Sequence, residues 1–225
     1  MKKLGLIASL LLTLSIAAQT KVTKTFPSFH AIEISGAYEV FFRLGDKHEV
    51  VIVAHGNDHK DVQFDLSDGE LKIDSENSLW NDSKPIQLYI TAKKLDKIDL
   101  SGAVSFISKN TIKGDFIKID LSGAASLELE AMVSLINIDG SGGCEIFLSG
   151  STDKLAIDMS GASSLEADKL KANEVTLELS GACSADIFAK EVANLELSGA
   201  ARLTLRGPAE IGYKEVSGSA SFNRN

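Results

Sequence analysis

Eight carboxylates recur at one place in a repeated pattern: Glu33, Asp99, Asp120, Asp139, Asp158, Glu178, Glu196 and Glu215 each stand three residues before the glycine of a Ser-Gly step. Carboxylate oxygens in such an array can bind a hard cation such as Ca²⁺ between neighbouring copies or dock a cationic partner. They can also simply face water. Unit charges on strands ~4.8 Å apart repel by roughly 0.9 kcal/mol in water before salt screening, and Lys97 and Lys118, two residues ahead of Asp99 and Asp120, offset part of that cost. The solvated strip is the simpler reading, and Asp99, Asp120, Asp139, Asp158, Glu178 and Glu196 are the candidate interaction strip if it binds anything. The glycine-rich nonapeptide of calcium-binding β-rolls is absent, so no cofactor is expected and Ca²⁺ is the one ion the strip admits.

The other reactive side chains give weaker patterns. A nucleophilic serine is one unusual residue with a base beside it, whereas the serines before the glycines form eight equivalent positions, and no Gly-x-Ser-x-Gly occurs at a strand-to-helix junction. They read as structural, with hydroxyls free to bond corner backbone. His55 and His59, with Asp58 between them, have a spacing that suits a metal on a helix, but Gly56-Asn57 points to a turn there. Trp80, in the polar stretch 74–85, can stack on a sugar ring or cap the end of the fold. Acids this repetitive single out no pair for glycoside cleavage, and the four arginines, Arg43, Arg202, Arg206 and Arg224, are too dispersed to line a catalytic groove.

The elements that hold these columns follow from the repeat. The Ser-Gly steps that carry this pattern fall at Ser35, Ser101, Ser122, Ser141, Ser160, Ser180, Ser198 and Ser217, and from Gly102 onward their glycines are 21, 19, 19, 20, 18 and 19 residues apart. A period near twenty marks a solenoid. Residues four and two before each glycine are aliphatic in nearly every copy, from Ile32 and Ile34 to Leu195 and Leu197, and alternation along a strand puts them inside with the acids outside. Four after the glycine the pattern turns inward again, from Val40 to Phe222. Just after the glycine stands a column of very small residues, Ala37, Ala103, Ala124, Gly143, Ala162, Ala182, Ala200 and Ser219, which is expected at a corner with no room for more.

A parallel β-helix with one coil per repeat and an antiparallel meander both fit this alternation, but only the first gains from stacking like on like, so a parallel β-helix is expected. Each coil would hold a strand, a Ser-Gly-Ala corner, a second strand and a variable return such as Lys109 to Asp115 or Asp168 to Asn173. About 65 residues separate the first corner from the second, so residues 43–95 are an insert or N-terminal cap of longer strands, with a hairpin between Tyr38–Leu44 and Glu49–Ala54 and a turn at Ser67-Asp68-Gly69.

Residues 1–19 read as a secretory signal peptide, with Lys2 and Lys3 before the apolar run Leu4 to Ala18 and small residues at Ala17-Ala18-Gln19. Residues 20–95 carry the first coil and the cap, and 96–225 the repeats, as one continuous domain. No cysteine precedes Cys144, which excludes a lipid anchor on an N-terminal cysteine, and the apolar run is short for a membrane span. Losing Lys2 and Lys3 with the leader takes the formal charge from −8 to −10. Such a surface repels nucleic acid and anionic lipid, leaving cations, neutral glycans or proteins as partners. Cys144 and Cys183 share a column two residues after the glycine but sit two coils apart, with Ser163 between. That places their α-carbons ~9.6 Å apart, beyond the ~7 Å limit of a disulfide, so two buried free thiols are expected.

The Ser-Gly-Ala repeats, the turn and strand Asp68-Gly69-Glu70-Leu71-Lys72-Ile73 and the leader together resemble the head GIN domain family of auto-transporter adhesins of Bacteroidota, over essentially the whole mature chain. The resemblance implies a right-handed β-helix, a cell-envelope or secreted setting and no catalytic residues. The repeats run to Asn225, so a membrane-translocating barrel is not expected. The function expected is therefore that of an exported, non-enzymatic binding or structural protein of the cell envelope, an adhesin in the family's terms. The alternative is a polysaccharide-active β-helix enzyme, which a cleft with a basic residue beside two acids would favour.

Overall fold

The computed structural model of the protein describes residues 19–55, 58–75 and 85–225. The leader, apart from Gln19, and Trp80 lie outside the described residues. The strands in chain order are β1 (Gln19–Thr25), β2 (Ala31–Leu44), β3 (Glu49–His55), β4 (Val62–Ser67), β5 (Glu70–Ser75), β6 (Ile86–Ala92), β7 (Lys97–Ser108), β8 (Ile112–Leu121), β9 (Ser126–Gly140), β10 (Glu145–Met159), β11 (Ser164–Leu179), β12 (Ser184–Leu197), β13 (Arg202–Arg206), β14 (Glu210–Val216) and β15 (Ser221–Arg224), with one 3₁₀ turn at Asp58–Lys60.

From β7 to β15 every pairing is parallel, which is the β-helix and not the meander. The chain winds about seven turns. The repeat columns stack in register: Ile98 on Ile119, Leu100 on Leu121, Ile157 on Ile138, Leu177 on Leu195. These side chains are essentially inaccessible and belong to one cluster that runs from Phe29 to Ala209. Gly140 interrupts the inner column, and the side chain of Met159 from the next coil reaches the space a β-carbon there would take.

Two features of the coil differ from expectation. The return Asp168–Asn173 is not a loop but lies inside β11, and of Lys109–Asp115 only the residues before Ile112 leave the strand. Register shifts between Phe147 and Ser149 and around Ala167–Ala172 turn the chain without ending the ladder. The small column is also not confined: Ala124, Gly143, Ala162, Ala182 and Ala200 are exposed. The crowding falls on the preceding glycine, where a β-carbon on Gly142 would come 2.6 Å from the Gly123 carbonyl oxygen and one on Gly161 2.5 Å from that of Gly142. The corners pack backbone to backbone, with Gly143 N donating to Gly123 O and Ala162 N to Gly142 O, each at 2.8 Å.

The insert is a cap, though not of longer strands, since β3 to β6 have six or seven residues against 14 to 16 in β9 to β12. β5 pairs in parallel with the start of β2 (Ile32 on Leu71) and β6 with its end (Val40 on Leu88), so the two make one further coil. Antiparallel strands then cover that coil, β4 on β5, and β3 followed by β1 on β6. The expected hairpin between β2 and β3 does not form. Both edges of β2 are already taken, by β7 on one side and by β5 and β6 on the other, so β3 pairs one strand further out. The second turn is as expected: Asp68 (φ 52°) and Gly69 (φ 79°) close β4 onto β5 in the left-handed conformations of a type I′ hairpin.

Candidate functional site

All eight acids align. Glu33 pairs with Asp99, Asp99 with Asp120, Asp120 with Asp139, Asp139 with Asp158, Asp158 with Glu178, Glu178 with Glu196 and Glu196 with Glu215, one carboxylate per coil on the outer face. The serine before each glycine comes next along the same face, and Asp99, Asp120, Ser122, Asp139, Ser141, Asp158 and Ser160 border a shallow groove of about 340 Å³.

The ladder has two electrostatic halves. Towards the cap it is neutralised by lysines: Lys72, directly opposite Glu33 on β5, reaches it at 2.7 Å, and from the column two residues upstream Lys97 bridges Glu70 (2.7 Å) and Asp99 (3.5 Å) and Lys118 bridges Asp120 (2.9 Å) and Asp139 (3.6 Å). The hydrogen bond to Asp120 and then its charge hold the Lys118 ammonium above its usual range. Burial raises the Asp99 carboxyl, with repulsion from Asp120 and Glu33 adding to it and Lys97 opposing it. Asp139 is likewise raised, by burial first and then by the hydrogen bond and charge of Asp120. Beyond the position of Lys118 the column holds Asn137, Ala156, Thr176 and Asn194. Asp158, Glu178 and Glu196 have no ion pair among the described residues. Glu215 accepts a hydrogen bond from Tyr213 (2.6 Å).

The remaining candidates form no common site with the ladder among the described residues. His55 ends β3 and His59 sits in the 3₁₀ turn, its Nδ1 buried without a partner among the described residues. Among the described residues no three His, Cys, Asp or Glu side chains gather as metal ligands do. Cys144 and Cys183 are free and buried in their shared column. Each thiol donates to the carbonyl three residues back, Cys144 to Ser141 (3.2 Å) and Cys183 to Ser180 (3.0 Å).

A second polar cluster, which the repeat reading missed, lies where the cap joins the first coil. Glu39 and Phe41 of β2 stand directly opposite Gln87 and Tyr89 of β6. Gln87 Nε2 donates to Glu39 Oε2 (2.9 Å), Tyr89 OH donates to Gln87 Oε1 (3.2 Å), and the Phe41 and Tyr89 rings lie 4.9 Å apart, tilted 30°. Beside them a pocket of about 120 Å³ is lined by Gln19, Glu39, Val53, His55, Pro85 and Gln87. Only the alternation of Gln87 with Leu88 and of Tyr89 with Ile90 hinted at this in the sequence, because β6 carries no Ser-Gly step to align it, although it stacks in register on β2.

The repeat grammar now has a structure under it, and residues 28–209 match the family model described as "Putative auto-transporter adhesin, head GIN domain". The chain belongs to the head GIN domain family. Its fold is shared with proteins of known structure: the crystal structure of a "putative adhesin" from Bacteroides fragilis superposes with a TM-score of 0.85 at 18% identity, covering 92% of this chain and 97% of that one. One from Parabacteroides distasonis gives 0.73 at 16% identity over 93% and 98% of the two chains. A "putative lipid binding protein" from Parabacteroides distasonis gives 0.68 at 16% identity over 92% and 96%. At these identities the likeness shows the fold alone. No curated protein matches the sequence.

Proposed function

We propose that this head GIN protein is exported and works as a non-enzymatic binding protein of the cell envelope, adhesive in the sense of its family. The observation that carries the reading is the outer surface itself. One carboxylate per repeat, stacked in register through all eight copies, offers a long repetitive face suited to extended partners and differentiates no single residue for chemistry. The interior argues the same way, since among the described residues it is one continuous cluster of buried apolar side chains from Phe29 to Ala209. A lipid would have to lie on the outside, as at the exposed Phe116 and Leu135, which are neighbours across β8 and β9.

The acidic strip is read as solvated towards the cap, where lysines occupy it, and as the part open to cations from Asp158 to Glu196. A chelator should leave the melting temperature of micromolar protein unchanged, and a large drop would make the strip a Ca²⁺ site. Lys118 between Asp120 and Asp139 favours a second reading, a polysaccharide-active groove, because it sets a basic residue beside two acids that border the groove.

The two separate in one experiment. Mature protein beginning at residue 20 is incubated with cell-surface material, with and without Ca²⁺, and both retention and release of reducing ends are measured. Retention without cleavage, unchanged in Asp120→Asn/Asp139→Asn, is the expected result. Cleavage lost in that variant would establish the enzyme instead. N-terminal sequencing of protein from the periplasm or medium tests export.

A further inference from the structure

We infer that the cap carries a saccharide-binding site built on Tyr89, Phe41, Glu39, Gln87 and His55. This rests on the binding reading above and names its ligand class: a neutral pyranose, bound at the end or along the edge of a glycan.

A pyranose has two recognisable surfaces, a ring face of C–H groups and a rim of paired hydroxyls. The first packs on the electron-rich face of an aromatic ring, and the second takes bidentate hydrogen bonds from planar side chains. The cap sets one of each side by side. Tyr89 is 42% exposed while its strand neighbours Leu88 and Ile90 are buried, so its ring lies outside the core and is not spent on it. Val51 on β3 and Phe41 on β2 flank it from the adjacent strands.

The ring is also held. Its hydroxyl donates to Gln87, Gln87 donates to Glu39, and Phe41, with Lys109 Nζ 4.4 Å from its centroid, backs the stack. A chain of side-chain hydrogen bonds across two strands fixes both ring and amide before a ligand arrives, which lowers the ordering cost of binding. Two residues along the same face, the chain ends at the small pocket, where Glu39 retains Oε1 and His55 both ring nitrogens without a partner among the described residues. A carboxylate oxygen accepts from one hydroxyl while an imidazole donates to or accepts from the next. A pocket of about 120 Å³ admits one end of a sugar ring and not a folded peptide segment. The acidic ladder lies on the other arm of the coil, before the corner, so the two sites are independent.

The test uses the mature protein with a panel of neutral oligosaccharides (laminarihexaose, mannohexaose, xylohexaose and β-1,4-galactohexaose), read by saturation-transfer difference NMR and by competition against retention on cell-surface material. At least one oligosaccharide should show saturation transfer. Tyr89→Ala and Glu39→Gln should each weaken it about tenfold or more, and Tyr213→Ala, an exposed tyrosine at the far end, should not. Circular dichroism melts establish that the variants fold. If no oligosaccharide binds and retention survives periodate treatment of the cells, or if binding is indifferent to Tyr89→Ala and Glu39→Gln, the inference is wrong. Retention that persists in both variants would overturn the saccharide site while leaving the binding reading intact. Retention abolished by Tyr89→Ala but insensitive to sugars and periodate would identify a protein partner and equally overturn it.

Discussion

The hydroxyl of Ser163 stands 3.3 Å from the amide nitrogen of Cys144 and accepts its hydrogen bond, in the coil that separates Cys144 from Cys183. Its oxygen also lies 3.2 Å from the carbonyls of Gly142 and Ser160, either of which can take its proton. The column therefore runs Cys, Ser, Cys, and the thiols are kept two strand spacings apart. Thiol titration of the unreduced, denatured mature protein should find two free groups. In Ser163→Cys, adjacent coils would carry thiols at a spacing inside the disulfide window, and mild oxidation should leave one free group of three. A wild-type disulfide in monomeric protein would contradict the stacking order.

Gly142 and Gly143 are neighbours with opposite demands. Gly142 has φ 94° and a β-carbon there would press on the Gly123 carbonyl, whereas one on Gly143 would meet the same oxygen only at 3.9 Å. Gly142→Ala should cost about 2 kcal/mol or more through left-handed strain and the clash. Gly143→Ala, which restores the alanine found in most other copies, should stabilise by about 0.4–1 kcal/mol by restricting the unfolded chain. Urea unfolding of the pair checks both signs.

The assignment of faces can be tested at the third coil and its neighbour. Leu121 is 3% exposed, and Leu121→Asp should destabilise by at least about 3 kcal/mol, since the inner column offers a carboxylate no partner. Asp139→Asn should be neutral or slightly stabilising at pH 7. The folded-state pKa of Asp139 is raised, so its protonated form favours folding, and that favourable contribution is lost as pH rises through the folded value. The advantage of Asp139→Asn over wild type should therefore shrink as pH falls through the carboxylate range. Equal melts for the two variants would place both side chains on the wrong faces.

Tyr38 is the largest fully buried side chain among the described residues, and its hydroxyl donates to the Asp74 carbonyl at 3.0 Å. Burial pushes its pKa up to about 12, while the unfolded chain ionises near its ordinary value of about 10. Between those values the folded state holds a proton the unfolded state has released, so this contribution to stability is complete below about pH 10 and is lost as pH rises towards 12. Tyr38→Phe should cost about 1 kcal/mol at pH 8 by losing the hydrogen bond. The gap to wild type should narrow between pH 10 and 12, measured by urea midpoints. A gap that widens there would mean the hydroxyl is not shielded.

The period near twenty and the alternation around each glycine were enough to specify a parallel solenoid, which columns point inward, and the order of Cys144, Ser163 and Cys183. Those are local properties repeated eight times, and parallel stacking is the arrangement in which every copy meets its own kind. Within a coil, however, the pattern has no period of its own. The sequence therefore did not show that Asp168–Asn173 stays in the ladder through bulges, or that the exposed alanines owe their place to crowding at the glycine beside them. The cap is set by competition for edges. Tyr38–Leu44 and Glu49–Ala54 look like a hairpin as neighbours in the chain, but β6, arriving some forty residues later, takes the edge of β2 that β3 would have used. That exchange brings Glu39 opposite Gln87 and Phe41 opposite Tyr89. Contacts between residues 48 apart, one of each pair on a strand outside the repeat, have no signature in either segment alone, and only the pairing of the strands brings them together.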